Sequence, residues 1–152
     1  IISSSWDRKV KNGKFAGSIF SDRQLDKYNK IVIGSDYDMF KDINNCNCVG
    51  LLKNNEVLNY LNKTKLLIIP SLFDANPNVL REALINKCDV LLSKNVGFSE
   101  ALAPKFVMDD CYDVNNWVVR TKKLIDEYDA NDNFEIKFQD VDFLFEKMIS
   151  NL

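Results

Sequence analysis

Histidine is absent from this 152-residue chain. The omission removes Ser-His-Asp, Cys-His and every other imidazole-dependent general-base arrangement from what the chain can do alone. It also leaves Cys46, Cys48, Cys88 and Cys111 without a nitrogen ligand, and none of them forms a CxxC pair. No zinc site is expected, and the four read as small buried residues. No apolar run approaches the roughly 20 residues that cross a bilayer, and no basic-then-apolar leader opens the chain. A transmembrane segment is not expected. The expected location is the cytoplasm, with any peripheral membrane contact left to regions outside this chain. An excess of charge is missing too: 20 Lys and Arg face 22 Asp and Glu, for a net charge of -2. Neither nucleic acid nor an anionic membrane is an expected partner. Trp6, Trp117 and the phenylalanines have core spacing, without the interleaved basic residues of a base-stacking platform.

What is present is a globular composition, 46% hydrophobic and 28% charged, in a chain long enough for one domain with its own core. The chain opens Ile-Ile rather than with Met, inside an expected strand, and is expected to be a piece of a longer polypeptide. Short β-rich runs at 1–4, 31–34, 47–50, 66–70, 90–93 and 106–108 alternate with helical spacing at 14–28, 38–43, 55–61, 77–86, 98–102, 114–128 and 141–149. Runs such as "KIVIG" and "LLIIP" are apolar without alternation, as strands buried on both faces are. The order predicts an α/β domain with a doubly wound parallel sheet between helices, in which ligands sit beyond the carboxyl ends of strands. A single domain is expected over 1–152, with 130–152 as a C-terminal connector and helix.

One such strand end is "LLIIPSLFDANPNVLREAL", residues 66–84. Asn76 is a favoured N-cap and Pro77 suits the first helical position, so a helix is expected to start there. Its first turn would present free N–H groups at about Asn78, Val79 and Leu80 with the positive end of the helix dipole, an arrangement that suits phosphate. Glu82, one turn further, lies off the apolar face of Val79, Leu80, Ala83 and Leu84, and its carboxylate suits the two hydroxyls of a ribose. Asp74, in the loop before the cap, suits the hydroxyls of a sugar beside that phosphate. Either acid taken alone is adequately explained as a dipole partner worth about 0.3–1 kcal/mol. Their place at the carboxyl end of a buried strand favours the ligand reading.

The segment "PSLFDANPNVLREALINKCDVLLSKNVGFSEAL", 70–102, resembles the donor-binding half of retaining GT-B-fold glycosyltransferases, especially glycosyltransferase family 4. That signature is a strand ending in Pro-Ser, an acid, seven residues and then Glu-Ala, a small-residue turn, a Val-rich strand, and a Gly-containing loop with a further Glu. Here these fall at Pro70-Ser71, Asp74, Glu82-Ala83, the strand over 90–93, and Gly97 with Glu100. Asp74 stands where Glu is commoner, and Lys87 and Asp89 stand where Gly and Pro are usual. Weaker similarity extends over residues 1–128. "VGLLKNNEVLNYLNKTKLLIIPS" resembles the family's Gly-containing loop, short helix and strand, and "SSSWDRKVKNGK" falls where an Arg and a Lys grip the diphosphate.

The resemblance implies a Rossmann-like half of a GT-B fold that binds a nucleoside diphosphate sugar. With an N-terminal acceptor-binding domain as partner, it would transfer the sugar to a glycan, lipid or protein with retention. By the same resemblance Asp74 lies by the sugar, Asn78 and Val79 hold the diphosphate, Glu82 takes the ribose, Gly50 and Leu51 approach the base, and Ser71 closes the strand end. Lys11 fits the diphosphate Lys; the Arg would fall at Trp6, leaving Arg8 as its substitute. No metal or other cofactor is expected. Asp36 and Asp38 in "SDYDMF" have the spacing of a metal-binding acid pair, but a turn and cap account for them. The alternative from another class is a non-catalytic α/β module that binds a nucleotide or a partner protein.

Overall fold

The apolar runs become parallel strands: β1 (Ile2–Ser5), β2 (Lys30–Ser35), β3 (Cys46–Gly50), β4 (Leu66–Ile69), β5 (Asp89–Ser93) and the two-residue β6 (Val107–Met108). A computed structural model describes residues 1–129; the connector and helix expected over 130–152 lie outside the described residues. The strands form two three-stranded sheets, β1-β2-β3 and β4-β5-β6. Ile1 joins them, its nitrogen donating to the Leu66 carbonyl at 2.8 Å and its carbonyl accepting from the Ile68 N–H at 2.9 Å. Across that seam the order is β3-β2-β1-β4-β5-β6, the order of a Rossmann-like domain.

Among the described residues four α-helices cover the strands: α1 (Gly13–Phe20), α2 (Asn54–Leu61), α3 (Asn78–Ile85) and α4 (Val114–Asp126). The chain winds outward from β1 to β2 in one direction and from β4 to β5 in the other. Right-handed crossovers therefore put α1 and α3 on opposite faces. α1 packs with α4, and α2 packs with α3. β4 and β5 are buried along their whole lengths, as their unbroken apolar sequences require. On the α1–α4 side Phe15 meets Trp117 edge to face at 5.8 Å, and the Trp117 indole N–H donates to the Asp110 carbonyl at 2.7 Å.

Several expected helices are shorter. The run over 14–28 stops at Phe20, because Asp22 turns its carboxylate onto the Gln24 N–H at 2.8 Å and starts a separate 3-10 turn. The stretches at 38–43 and 98–102 are single 3-10 turns, Asp38–Phe40 and Ser99–Ala101, held by bonds to the third residue back. Cysteine burial also departs from expectation. Cys88 and Cys111 are buried, whereas Cys46 and Cys48 are half-buried on β3, which among the described residues pairs with β2 alone. Desolvation by burial pushes the Cys46 thiol up to about 11 and raises Cys48 as well, so both stay protonated at neutral pH.

The turn after α3 closes in a regular way despite Lys87. The Cys88 N–H reaches the Ala83 carbonyl at 2.9 Å and the Lys87 N–H reaches Leu84 at 3.1 Å, the paired bonds of a Schellman motif. Lys87 itself takes the left-handed conformation (φ 58°) that glycine usually fills. Lys87→Gly is therefore expected to stabilise the protein by about 0.5–1 kcal/mol. Urea unfolding measures it, and a loss of stability would mean that the turn is not left-handed.

Candidate functional site

The strand order reverses between β1 and β4, and a crevice opens there at the strands' carboxyl ends. A cavity of about 410 Å³ occupies it, walled by Ser4 and Ser5 of β1, Gly34 of β2, Ile68 and Ile69 at the end of β4, and Pro70 and Ser71 just beyond that strand. Three loops complete it: the one after β1, with Arg8 and Lys11; the one after β3, with Leu51 and Leu52; and the one after β4, with Asp74, Asn76, Pro77, Asn78 and Val79.

The β4–α3 loop is pinned from both sides. On the β1 side, the Leu72 N–H donates to the Val10 carbonyl at 2.8 Å, and the Asn12 amide donates to the Pro70 and Cys111 carbonyls at 3.2 Å each. Asn12 adopts a left-handed conformation, which Asn tolerates, directly before α1. On the β5 side, the Gly97 N–H donates to the Asp74 carbonyl at 2.7 Å, the Asp74 N–H donates to Asn95 at 3.3 Å, and the Ser93 hydroxyl donates to the buried Ser71 carbonyl. A side chain at Gly97 would bring its Cβ to 2.0 Å from the Ala75 carbonyl oxygen.

α3 begins one residue later than expected. Pro77, extended at ψ 105°, takes the cap position, and no side chain caps the helix. Asn78 instead accepts a hydrogen bond from Arg81 at 2.7 Å. The Leu80 N–H bonds to the Pro77 carbonyl at 3.0 Å, so the expected trio of free amides reduces to Asn78 and Val79. These two have no intrahelical carbonyl to use and lie on the cavity wall.

Lys11 and Asp74 form an ion pair across the cavity, each side chain 16% exposed. Arg8 is exposed at the edge, its guanidinium with no hydrogen bond or ion pair among the described residues. Trp6 is buried instead of facing a ligand with a polar group: it packs on Phe40 at 5.3 Å, and its indole N–H donates to the Ile33 carbonyl at 3.1 Å.

Seven of the nine sequence-derived candidates therefore line one cavity: Arg8, Lys11, Leu51, Ser71, Asp74, Asn78 and Val79. Leu51 projects from it, 77% exposed. Gly50 does not line it; it turns the chain with φ 73° at the end of β3. Glu82 does not line it either. Its carboxylate accepts from the Asn54 side chain at 3.3 Å, at the N-terminus of α2. Glu100 is exposed beside Lys94 and Pro104, away from this cavity. Asp36 sits in a left-handed turn and Asp38 pairs with Lys41, so neither contributes to the wall. Sequence reasoning missed Asn12 as the clamp between loops. The signal was there, since Asn before Gly marks a left-handed turn. The carbonyls it reaches belong to positions 58 and 99 residues away.

No protein-family model matches the chain, and no curated protein matches it in sequence. Solved structures do match. The chain is similar to sucrose-phosphate synthase from Thermosynechococcus elongatus, with TM-score 0.66 and 13% identity over 83% of this chain and 36% of that one. It is similar to WaaG, a glycosyltransferase involved in lipopolysaccharide biosynthesis, with TM-score 0.64 and 17% identity over 83% and 37%. TarM aligns over 98% of this chain and 34% of its own, with TM-score 0.65 and 18% identity. The fold is a Rossmann-like half of the GT-B architecture. At such identities the likeness is one of fold. The chain spans between 34% and 37% of the length of these three proteins.

Gly97→Ala is expected to cost about 2 kcal/mol or more, because backbone on both sides of the contact must move. Denaturant unfolding reads it directly, and unchanged stability would show that the two loops do not touch.

Proposed function

We propose that this chain is the donor-binding part of a retaining glycosyltransferase that moves a sugar from a nucleoside diphosphate to a glycan, lipid or protein acceptor. A separate acceptor-binding domain closes over the crevice. The observation that carries the reading is the convergence of two α3 amides, Asn78 and Val79, which have no hydrogen-bond partner among the described residues, with Arg8 and Lys11 on one cavity at the reversal of strand order. Donors that need no reorganisation, aimed where charge develops, are what a departing diphosphate requires. The amides and the Lys11 and Arg8 cations stabilise that charge. Asp74 takes hydroxyls of the sugar, Glu82 takes the ribose from the outer edge of the same helix, and the turn at Gly50 and Leu51 borders the base. No metal takes part in this scheme, since the cations of the chain itself meet the phosphates.

One observation favours a second reading, nucleotide binding without transfer. Trp6 is buried where the family pattern has a cation, which leaves the diphosphate with Arg8 and an already paired Lys11.

Calorimetry with UDP, GDP and their sugars tests the proposal. One nucleotide is expected to bind, and Glu82→Ala is expected to weaken it about tenfold or more, as loss of charged hydrogen bonds does. Failure of every nucleotide to bind overturns the donor assignment. EDTA is expected to leave the affinity unchanged, and a strict Mn²⁺ requirement would contradict the metal-free scheme. Sugar transfer on adding an acceptor domain separates the two readings.

A further inference from the structure

We propose that the Lys11–Asp74 ion pair makes the site discriminate between a nucleotide sugar and the bare nucleoside diphosphate left after transfer. The inference rests on the donor-site reading and deepens it, because it gives Lys11 a second role in positioning Asp74.

The main chain on both sides of this pair is held in place. Lys11 closes the 3-10 turn Lys9–Lys11 and is followed by Asn12, whose side chain is tied to Pro70 and Cys111. Asp74 has its N–H on Asn95 and its carbonyl on Gly97. Only the two side chains are free to change partners. They meet although 63 residues separate them, at the wall that also carries the Asn78 and Val79 amides.

A diphosphate entering at those amides competes with Asp74 for the Lys11 ammonium, and the Asp74 carboxylate repels it. A bare diphosphate offers Asp74 nothing in return. If Lys11 turns to the phosphate, the carboxylate is left, largely shielded from water, without its cation. A nucleotide sugar brings hydroxyl donors that satisfy the Asp74 oxygens in place of the ammonium hydrogens, so Lys11 is released to the phosphates. Once the sugar has gone, Asp74 recaptures Lys11 and the diphosphate loses a cation. The pair thus weakens product binding relative to substrate without any contact to the base.

The test compares wild type, Asp74→Asn, Lys11→Met and the double variant by calorimetry with inorganic pyrophosphate, UDP and GDP, each nucleotide also as its matching nucleotide sugar. Asp74→Asn keeps the side-chain shape while removing the charge. It is expected to bind pyrophosphate and the matching bare diphosphate about three- to fivefold tighter, the scale of releasing one partly screened ion pair. The gain is expected to shrink to about twofold or less when Lys11 is already Met, because the two changes act through one interaction. Lys11→Arg, which keeps a cation for Asp74, is expected to retain the wild-type preference for nucleotide sugar over bare diphosphate. Unchanged or weaker diphosphate binding by Asp74→Asn overturns the proposal, as does a gain that persists in full without Lys11. If wild type binds no nucleotide, the donor reading falls and this inference with it. If wild type binds and Asp74→Asn gains nothing, the donor reading stands and only the ion-pair link falls.

Discussion

Everything at the crevice depends on how the segment between β4 and α3 is held. A strand that runs into a helix through an extended loop leaves its backbone groups without ladder or helix partners, and those groups must be bonded elsewhere. Here Pro70, Ser71, Leu72 and Asp74 find partners on the loop after β1 and on the end of β5 with the loop that follows it. Asn12 and Val10 bind them from the β1 side, and Ser93, Asn95 and Gly97 from the β5 side. The segment is therefore a bridge between the two sheets at the level where the strand order reverses.

Pinning the main chain in this way separates two kinds of polar group. The backbone N–H groups of Asn78 and Val79 are fixed in direction, because α3 begins where the pinned segment ends. Side-chain charges remain adjustable: Lys11 is shared with Asp74, and Arg8 stands exposed at the edge. A rigid set of dipoles beside adjustable charges suits a ligand whose charge is redistributed during reaction. Glu82 belongs to neither set. It lies a turn further along α3 and meets Asn54 of α2, so the helix that presents amides to the cavity presents this carboxylate to its outer edge.

Much of this was legible from the residues. Unbroken apolar runs such as "LLII" placed the buried strands, and Asn76-Pro77-Asn78 placed the start of α3 to within one residue. The spacing of Asp74 from the helix start brought acid and amides to one wall. The misses have local physical causes. Apolar spacing over 14–28 could not show that Asp22 would bond its own neighbourhood and end α1 at Phe20. The thiol positions said nothing about β3 pairing, among the described residues, with β2 alone, so Cys46 and Cys48 are shallower than their residue type suggests. Lys87 departs from the residue type its turn favours, yet the Schellman bonds form around it because backbone groups, not the side chain, make them.

The sequence by itself determined the parallel α/β character, the position of α3 and the chemistry carried by the loop before it. Those properties follow from burial and from local bonding within a few residues of chain. Only the tertiary structure decided that Lys11 would meet Asp74, that Asn12 would tie three loops together, and that Glu82 would turn toward Asn54. These contacts join residues far apart in the chain. They exist because β1 and β4 lie side by side, and that adjacency is set by how the whole sheet buries its faces.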